Sequence, residues 1–478
     1  MLTLFLRTFL LFGCCWLASP SAADDNLPVL GDPTAALMSA DQEYRLGRAW
    51  LRGLRGQTSI MSDPMVQEYV ESLVYRLASY SDLKEPNLDI VVINSRQINA
   101  FAVPGGVIGL NAGLFLNADS EDEVAGVVAH EIAHVSQRHF ARRYLDSKKM
   151  NTAVLAAMLA SLAVAIAGDG EAGMAGIAAT QAGAIQAQLA YSRQNEREAD
   201  RVGMQTLAAS GMDPSAMPRF FERMHDSQRF SGDPPEFLLT HPVTESRIAD
   251  SRARARTLPP ARLSISTGFL LAQARLKAGF ITSDDQAIEY FKRYSNERSA
   301  LGLQAARYGL ALSYLRANHY DQARELMQGL ADQYPDELWF RLGLAEVALD
   351  EGNYPLTIKE TEWVQRISPD NYAASILQSK AYLRSKQPEK ALPLLKPLVH
   401  EHANDPHIWD LVADAYGNSG DTVRALHARA ESQFLRGNDP KAQQQMRYAL
   451  RDAENDFALY SKLNGRLREM KRLSEEEF

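Results

Sequence analysis

Cysteine is nearly missing from this 478-residue chain: there are two, side by side at Cys14 and Cys15. Both fall in an N-terminal segment that reads as a leader, so the mature chain would hold none, which excludes a disulfide framework and a thiol mechanism. Positive charge is also in short supply. With 51 Lys and Arg against 59 Asp and Glu, the net charge is −8 and no basic stripe stands out, so nucleic acid is set aside as a partner.

Long apolar runs are few. Thr8 to Leu17 is too short to cross a bilayer; with Arg7 before it and Ser21-Ala22-Ala23 ahead of Asp24-Asp25, it has the pattern of a signal peptide cleaved after Ala23. Leu11-Phe12-Gly13-Cys14 offers a second, lipoprotein-type cleavage. The other apolar run, Asn151 to Gly168, continues as a Gly- and Ala-rich stretch to Ala190. It reads as a packed helical hairpin, as an interfacial element in peripheral contact with a membrane over 151–190, or as a span; its alanine content disfavours the last.

Against these absences stands His130-Glu131-Ile132-Ala133-His134. Two histidines four apart on a helix present both imidazoles on one face, within reach of one Zn2+ ion, and Glu131 is placed as the general base toward a water acidified by the metal. Val124, Val127, Val128 and Ile132 continue at helical spacing, and Ser120 with Glu123 predicts a capping box. No glycine and third histidine follow in metzincin fashion, since Gln137 and Phe140 occupy those places. On a continuous helix His139 projects to another side and reads as an exposed or packed histidine. The better third ligand is Glu196, in Asn195-Glu196-Arg197-Glu198-Ala199-Asp200; Asp200 shares its face and would orient a ligating imidazole, while Glu198 reads as a solvated charge. The bland alternative is an exposed, salt-bridged helix.

These motifs, together with Asn99-Ala100-Phe101-Ala102-Val103-Pro104-Gly105-Gly106 and the later His241-Pro242 and Arg247, resemble the M48 family of zinc metallopeptidases, specifically its periplasmic members with C-terminal tetratricopeptide repeats. The resemblance covers nearly the whole mature chain. It implies a gluzincin-type peptidase holding one Zn2+ per chain through His130, His134 and Glu196, with Glu131 catalytic. It further implies a periplasmic task in outer-membrane quality control, in which β-barrel proteins are the protein substrates and the barrel assembly machinery is met through the repeats.

Leu88 to Asn94 and Val107 to Leu110 read as two strands joined by the Pro104-Gly105-Gly106 turn, a small sheet whose edge can align an extended peptide or only support the helix. His241, fixed before a proline, sits on a loop. Near a three-ligand metal it would either donate to an oxyanion or fill the fourth position as a plug; the resemblance favours a self-inhibiting loop. Arg247 follows at a spacing that lets it support the same site by pairing with a carboxylate or with developing negative charge.

Beyond Thr257-Leu258-Pro259-Pro260 the chain turns helical and repetitive. Ala323, Thr357, Ala391 and Ala425 recur with the 34-residue period of tetratricopeptide repeats. The expected organisation is therefore a leader at 1–23, an α+β zincin-like metallopeptidase domain at 24–257, a helical connection at 258–303, four repeats of an all-α solenoid at 304–439, and flanking helices at 440–478. A repeat array leaves a concave groove for protein partners. The competing functional reading is a chaperone or adaptor that acts through the repeats while the zinc site stays latent.

Overall fold

The computed structural model describes residues 39–84, 87–146, 193–231, 235–261, 265–295 and 300–476. The leader and the 151–190 stretch lie outside the described residues. No described helix is long and apolar enough to cross a membrane.

Helix α1 (Ala40–Gln57) opens with a capping box in which Ser39 and Gln42 exchange side-chain-to-backbone hydrogen bonds. Helix α2 (Pro64–Ala78) opens with Asp63 accepting from the N–H groups of Met65 and Val66, and Pro64 sits where an N–H would be unpaired in any case. Three strands follow, β1 (Asp89–Ile93), β2 (Ala100–Val103) and β3 (Val107–Asn111), in spatial order β1-β3-β2.

The sequence reading joins β1 to β3 across the Pro-Gly-Gly turn. The structure instead places β2 between them in the chain: the turn closes an antiparallel β2–β3 hairpin, and β1 runs parallel to β3 on its other side. The decisive signal is the glycine pair. Gly105 and Gly106 have φ of 75° and 78°, left-handed values that let the three-residue loop Pro104-Gly105-Gly106 turn the chain sharply, so the strand before them pairs with the strand after them. A Cβ on Gly105 would also stand 2.4 Å from the Glu43 carbonyl oxygen.

After α3 (Ala112–Asn117), helix α4 (Glu121–Ser136) forms the centre of this part of the molecule. It is enclosed by β2, by α2, and by α6 (Arg193–Ala209) and α7 (Ala216–Ser231); a shorter α5 (His139–Asp146) follows α4 directly. Val124, Val127, Val128 and Ile132 are buried, each aliphatic side chain contributing about 1.5–3 kcal/mol, which offsets the cost of the polar groups on the same helix. Gly203 of α6 lies where a Cβ would meet the Ala129 backbone at 3.0 Å, so α6 approaches α4 closely. The capping box read at Ser120 does not form. Ser120 makes no side-chain cap, and Glu123 reaches one residue farther to accept from the Asp119 N–H (2.7 Å), where it also meets Arg223 of α7 (3.1 Å). Two more helices, α8 (Glu236–Thr240) and α9 (Glu245–Ala255), complete this part.

The remainder is helical: Thr267–Phe280 and Asp284–Tyr294 both pack on Ala300–Arg316, and antiparallel helix pairs run on from there, Ala300–Arg316 with Tyr320–Gln333, Leu338–Glu351 with Tyr354–Ile367, Tyr372–Arg384 with Pro388–Glu401, Pro406–Asn418 with Thr422–Leu435, and Asp439–Asp452 with Phe457–Glu476. Ala323, Thr357, Ala391 and Ala425 are all buried where the paired helices touch. The left-handed residues Asn318, Gly352, Lys386 and Gly420 recur at the same period at the turn inside each of four pairs. The repeats fold back onto the metal-site part. Arg275 pairs with Glu346 (2.7 and 2.8 Å) and Asp63 (2.5 Å), Glu68 of α2 accepts from Asn371 (2.6 Å) and the Ala373 N–H (3.1 Å), and Arg52 of α1 donates to the Phe434 carbonyl (2.9 Å). A cavity of about 290 Å³ lies between α1, α2, β1 and the repeats.

One ion pair in the last repeats has a measurable pH signature. Burial would raise the Glu431 carboxyl, but His427 at 3.3 Å and the fork of Arg466 at 2.7 and 2.8 Å outweigh it and hold its pKa at about 2, against an ordinary 4.5. A folded-state pKa below the unfolded one contributes stability that is complete above the unfolded value and is lost as pH falls toward 2; here it amounts to about 3 kcal/mol. Urea unfolding should therefore show Glu431→Gln less stable than wild type at pH 7, with the gap narrowing toward pH 3.

Candidate metal centre

Helix α4 carries His130, Glu131 and His134, and all three side chains are buried. Helix α6 brings Glu196 and Asp200 across the Gly203 contact, and the end of α8 brings His241. One donor atom from each of His130, His134, Glu196 and His241 lies within 4.8 Å of every other. The individual separations are 3.0 Å between His130 Nε2 and His134 Nε2, 3.4 Å from His130 Nε2 to His241 Nδ1, 3.1 Å from His241 Nδ1 to Glu196 Oε1, and 3.5 Å from His134 Nε2 to Glu196 Oε1.

Those separations match a tetrahedral cation site. Four nitrogen and oxygen donors about 2.0–2.1 Å from a common centre stand about 3.4 Å from one another. The charges agree as well: Glu131, Glu196 and Asp200 are buried with one guanidinium, Arg247, among them, and a divalent cation would balance the remainder. Burial opposes a charge on His130, yet Asp200 and Glu196 outweigh it and push its pKa up to about 9, so the cluster draws in positive charge even as a proton. His134, buried beside His130, is held well below the ordinary histidine value.

The surrounding contacts fix these groups. Asp200 Oδ1 lies 3.1 Å from His130 Nδ1, leaving Nε2 for the cluster. Arg247 of α9 grips Asp200 through two hydrogen bonds of 2.8 Å, reaches Glu196 Oε2 at 2.7 Å, and donates to the Pro242 carbonyl at 2.8 Å. His241 is the residue that ends α8, where its N–H donates to the Phe237 carbonyl (2.8 Å) and its ring stacks on Phe237 at 4.7 Å. Its Nε2 is 3.4 Å from Glu131 Oε1, which puts the ring between the carboxylate and the other donors. Burial raises the Glu131 carboxyl, opposed by His241 and His130 and by the backbone N–H of Ala102 on the β2 edge strand.

Two sequence readings need correction. Glu198 is not a solvated charge: its Oε2 lies 3.2 Å from His139 Nε2 and accepts from Arg142 at 2.6 Å. His139 does not project away from the metal pair, because α4 ends at Ser136 and Arg138 takes φ of 49°; this left-handed step starts a new helix and returns the His139 ring, fully buried, to within 2.9 Å of His134 Nδ1. The available signal was His139 itself, five residues past the motif, but its direction depends on where the helix stops.

Residues 64–255 match Peptidase family M48 and residues 348–415 match the tetratricopeptide repeat. A Vibrio cholerae protein provisionally designated a beta-barrel assembly-enhancing protease is 38% identical over 419 residues, covering 87% of this chain and 86% of that protein. The chain belongs to peptidase family M48. The Escherichia coli beta-barrel assembly-enhancing protease is 36% identical over 426 residues, covering 88% of this chain and 86% of its own length. A more distant relative, the mitochondrial metalloendopeptidase OMA1 of Schizosaccharomyces pombe, is 28% identical over 199 residues, covering 42% of this chain and 55% of that protein. M48 enzymes are metal-dependent peptidases, and this member joins an M48 domain to C-terminal tetratricopeptide repeats.

Proposed function

We propose that this chain is a periplasmic zinc metalloendopeptidase of outer-membrane quality control, which degrades stalled β-barrel proteins and assists their assembly through its repeats. The observation that carries the chemistry is the four-donor cluster with Glu131 against it. Borderline nitrogen and carboxylate donors in a tetrahedral set suit zinc. The β-barrel task is supported by the designations of the Vibrio and Escherichia relatives, and export by the leader pattern at 1–23.

In this reading His130, His134 and Glu196 hold the ion, which when bound supplies Lewis acidity toward a peptide carbonyl and a water molecule. Glu131 takes a proton onto its carboxylate from the attacking water and delivers it to the departing amine. Asp200 holds His130 through Nδ1, and Arg247 fixes both Asp200 and Glu196. Substrate lies along β2, the edge strand whose Ala102 N–H meets Glu131, aligned by main-chain hydrogen bonds. The repeats, docked on α1 and α2, present protein partners to the cleft.

His241 acts as a plug in the fourth donor position, so the enzyme described is latent. Its burial, its stacking on Phe237 and its Nδ1 among the other donors favour this role over oxyanion binding. Casein digestion by His241→Ala should rise about tenfold or more, which corresponds to about 1.4 kcal/mol or more of plug-closing free energy. A fall in activity with metal content unchanged contradicts the plug. The plugged geometry also keeps a second reading alive, a chaperone or adaptor acting through the repeats; in that case barrel assembly survives Glu131→Gln and no variant digests protein.

A further inference from the structure

The two ligating histidines of α4 have different outer partners. His130 Nδ1 meets a carboxylate, Asp200 Oδ1, at 3.1 Å. His134 Nδ1 meets another imidazole: His139 Nδ1 is 2.9 Å away, with the ring centroids 4.9 Å apart and the planes at 74°. The other nitrogen of His139, Nε2, lies 3.2 Å from Glu198 Oε2, and Arg142 Nη2 donates to that same oxygen at 2.6 Å. His139 is fully buried.

The proton positions along this chain follow from what each atom can do. Two nitrogens 2.9 Å apart in a hydrogen bond are one N–H and one lone pair. If His134 offers the Nε2 lone pair to the cation, its proton is on Nδ1, so His139 Nδ1 must be the acceptor. A neutral imidazole that accepts at Nδ1 carries its hydrogen on Nε2 and donates it to Glu198, which is an acceptor on every lone pair when ionised. One arrangement therefore satisfies each contact, running from Arg142 through Glu198 and His139 to His134.

We infer that His139 is a positioning residue for the metal centre, fixing the tautomer and ring orientation of His134 through this imidazole–carboxylate–guanidinium chain. The inference rests on the proposed reading that His134 binds the metal through Nε2. The insertion of an imidazole has a physical logic. Glu131, Glu196 and Asp200 already concentrate three carboxylates around the site, and a fourth directly on His134 would add repulsion; the His139 ring moves Glu198 one side chain outward, where Arg142 neutralises it. The left-handed Arg138 makes the geometry available. On an uninterrupted helix, residue 139 would stand about 140° around the axis from residue 134; the break at Gln137 and Arg138 turns it back.

Zinc affinity, measured by competition with a chromophoric chelator, separates this role from packing. His139→Phe keeps the ring volume and removes the acceptor; His139→Asn sacrifices volume but sets a carbonyl oxygen near the place of Nδ1. Loss of an outer hydrogen-bond partner weakens metal binding about 10–100-fold. The expected order is therefore wild type, then His139→Asn within a few-fold, then His139→Phe weaker by about 10–100-fold. A packing role predicts the reverse order, and that result overturns the inference. Nitrogen-15 spectra of histidine-labelled wild type with zinc bound provide a readout independent of any variant's folding: His139 should be protonated on Nε2 and bare on Nδ1, and the opposite tautomer overturns the inference. His134→Ala separates the two levels of the argument. If it binds zinc as tightly as wild type, the underlying metal reading fails and this inference falls with it; if it loses zinc while His139→Phe does not, this inference alone fails.

Discussion

Glu131→Gln should lower kcat/KM for protein digestion by about 10²–10⁴-fold, the usual contribution of a positioned general base, while leaving bound metal in place. Glutamine keeps the size of the side chain and one acceptor oxygen, and Glu131 contributes no ligand atom to the four-atom cluster, so the ligand set is untouched. What it loses is the ability to take a proton. The loss should appear in kcat with KM little changed, because the interaction develops along the reaction path and not in substrate binding. Steady-state digestion of a fluorogenic peptide in the His241→Ala background, where the plug does not mask the effect, makes the comparison clean. Residual cleavage near the wild-type rate would remove Glu131 from the mechanism.

Arg247→Ala should be the most damaging single change to folding around the site, at about 3–5 kcal/mol, because it strands buried carboxylates and does not merely delete a surface charge. Arg247 is 3% exposed and serves Asp200 twice, Glu196 once and the Pro242 carbonyl once. A bound divalent cation shares the compensation of Glu196, so the defect should be larger in chelator-treated protein than in zinc-loaded protein. Urea unfolding of both forms measures it. Arg247→Lys should fall between, since an ammonium restores one charge but not the fork. Equal loss with and without metal would place Arg247 outside the electrostatics of the centre.

The parts of this molecule that sequence makes legible are those set by local spacing. Histidines at i and i+4 share a helix face whatever the rest of the chain does, and so do Glu196 and Asp200. The 34-residue recurrence of Ala323, Thr357, Ala391 and Ala425 is likewise local, repeated four times, and the left-handed turns at Asn318, Gly352, Lys386 and Gly420 keep the same period. What stays hidden depends on a break or on distant partners. The direction of His139 turns on one left-handed residue, Arg138, which is neither glycine nor asparagine and so gives no warning. Strand β2 is four residues long and entirely buried, so it shows no alternation; only the glycine pair after it reveals the hairpin. The docking of repeats on the metal-site part rests on pairs such as Arg52 with Phe434 and Arg275 with Asp63, separated by 382 and 212 residues, which no window along the chain can see.

The most direct measurement pairs zinc content with casein digestion by His241→Ala, before and after removal of metal by a chelator and again after zinc is returned. One zinc per chain, with digestion that disappears on chelation and comes back with zinc, is the predicted result. Digestion that persists without metal, or one bound zinc with no digestion under any of these conditions, would contradict the account.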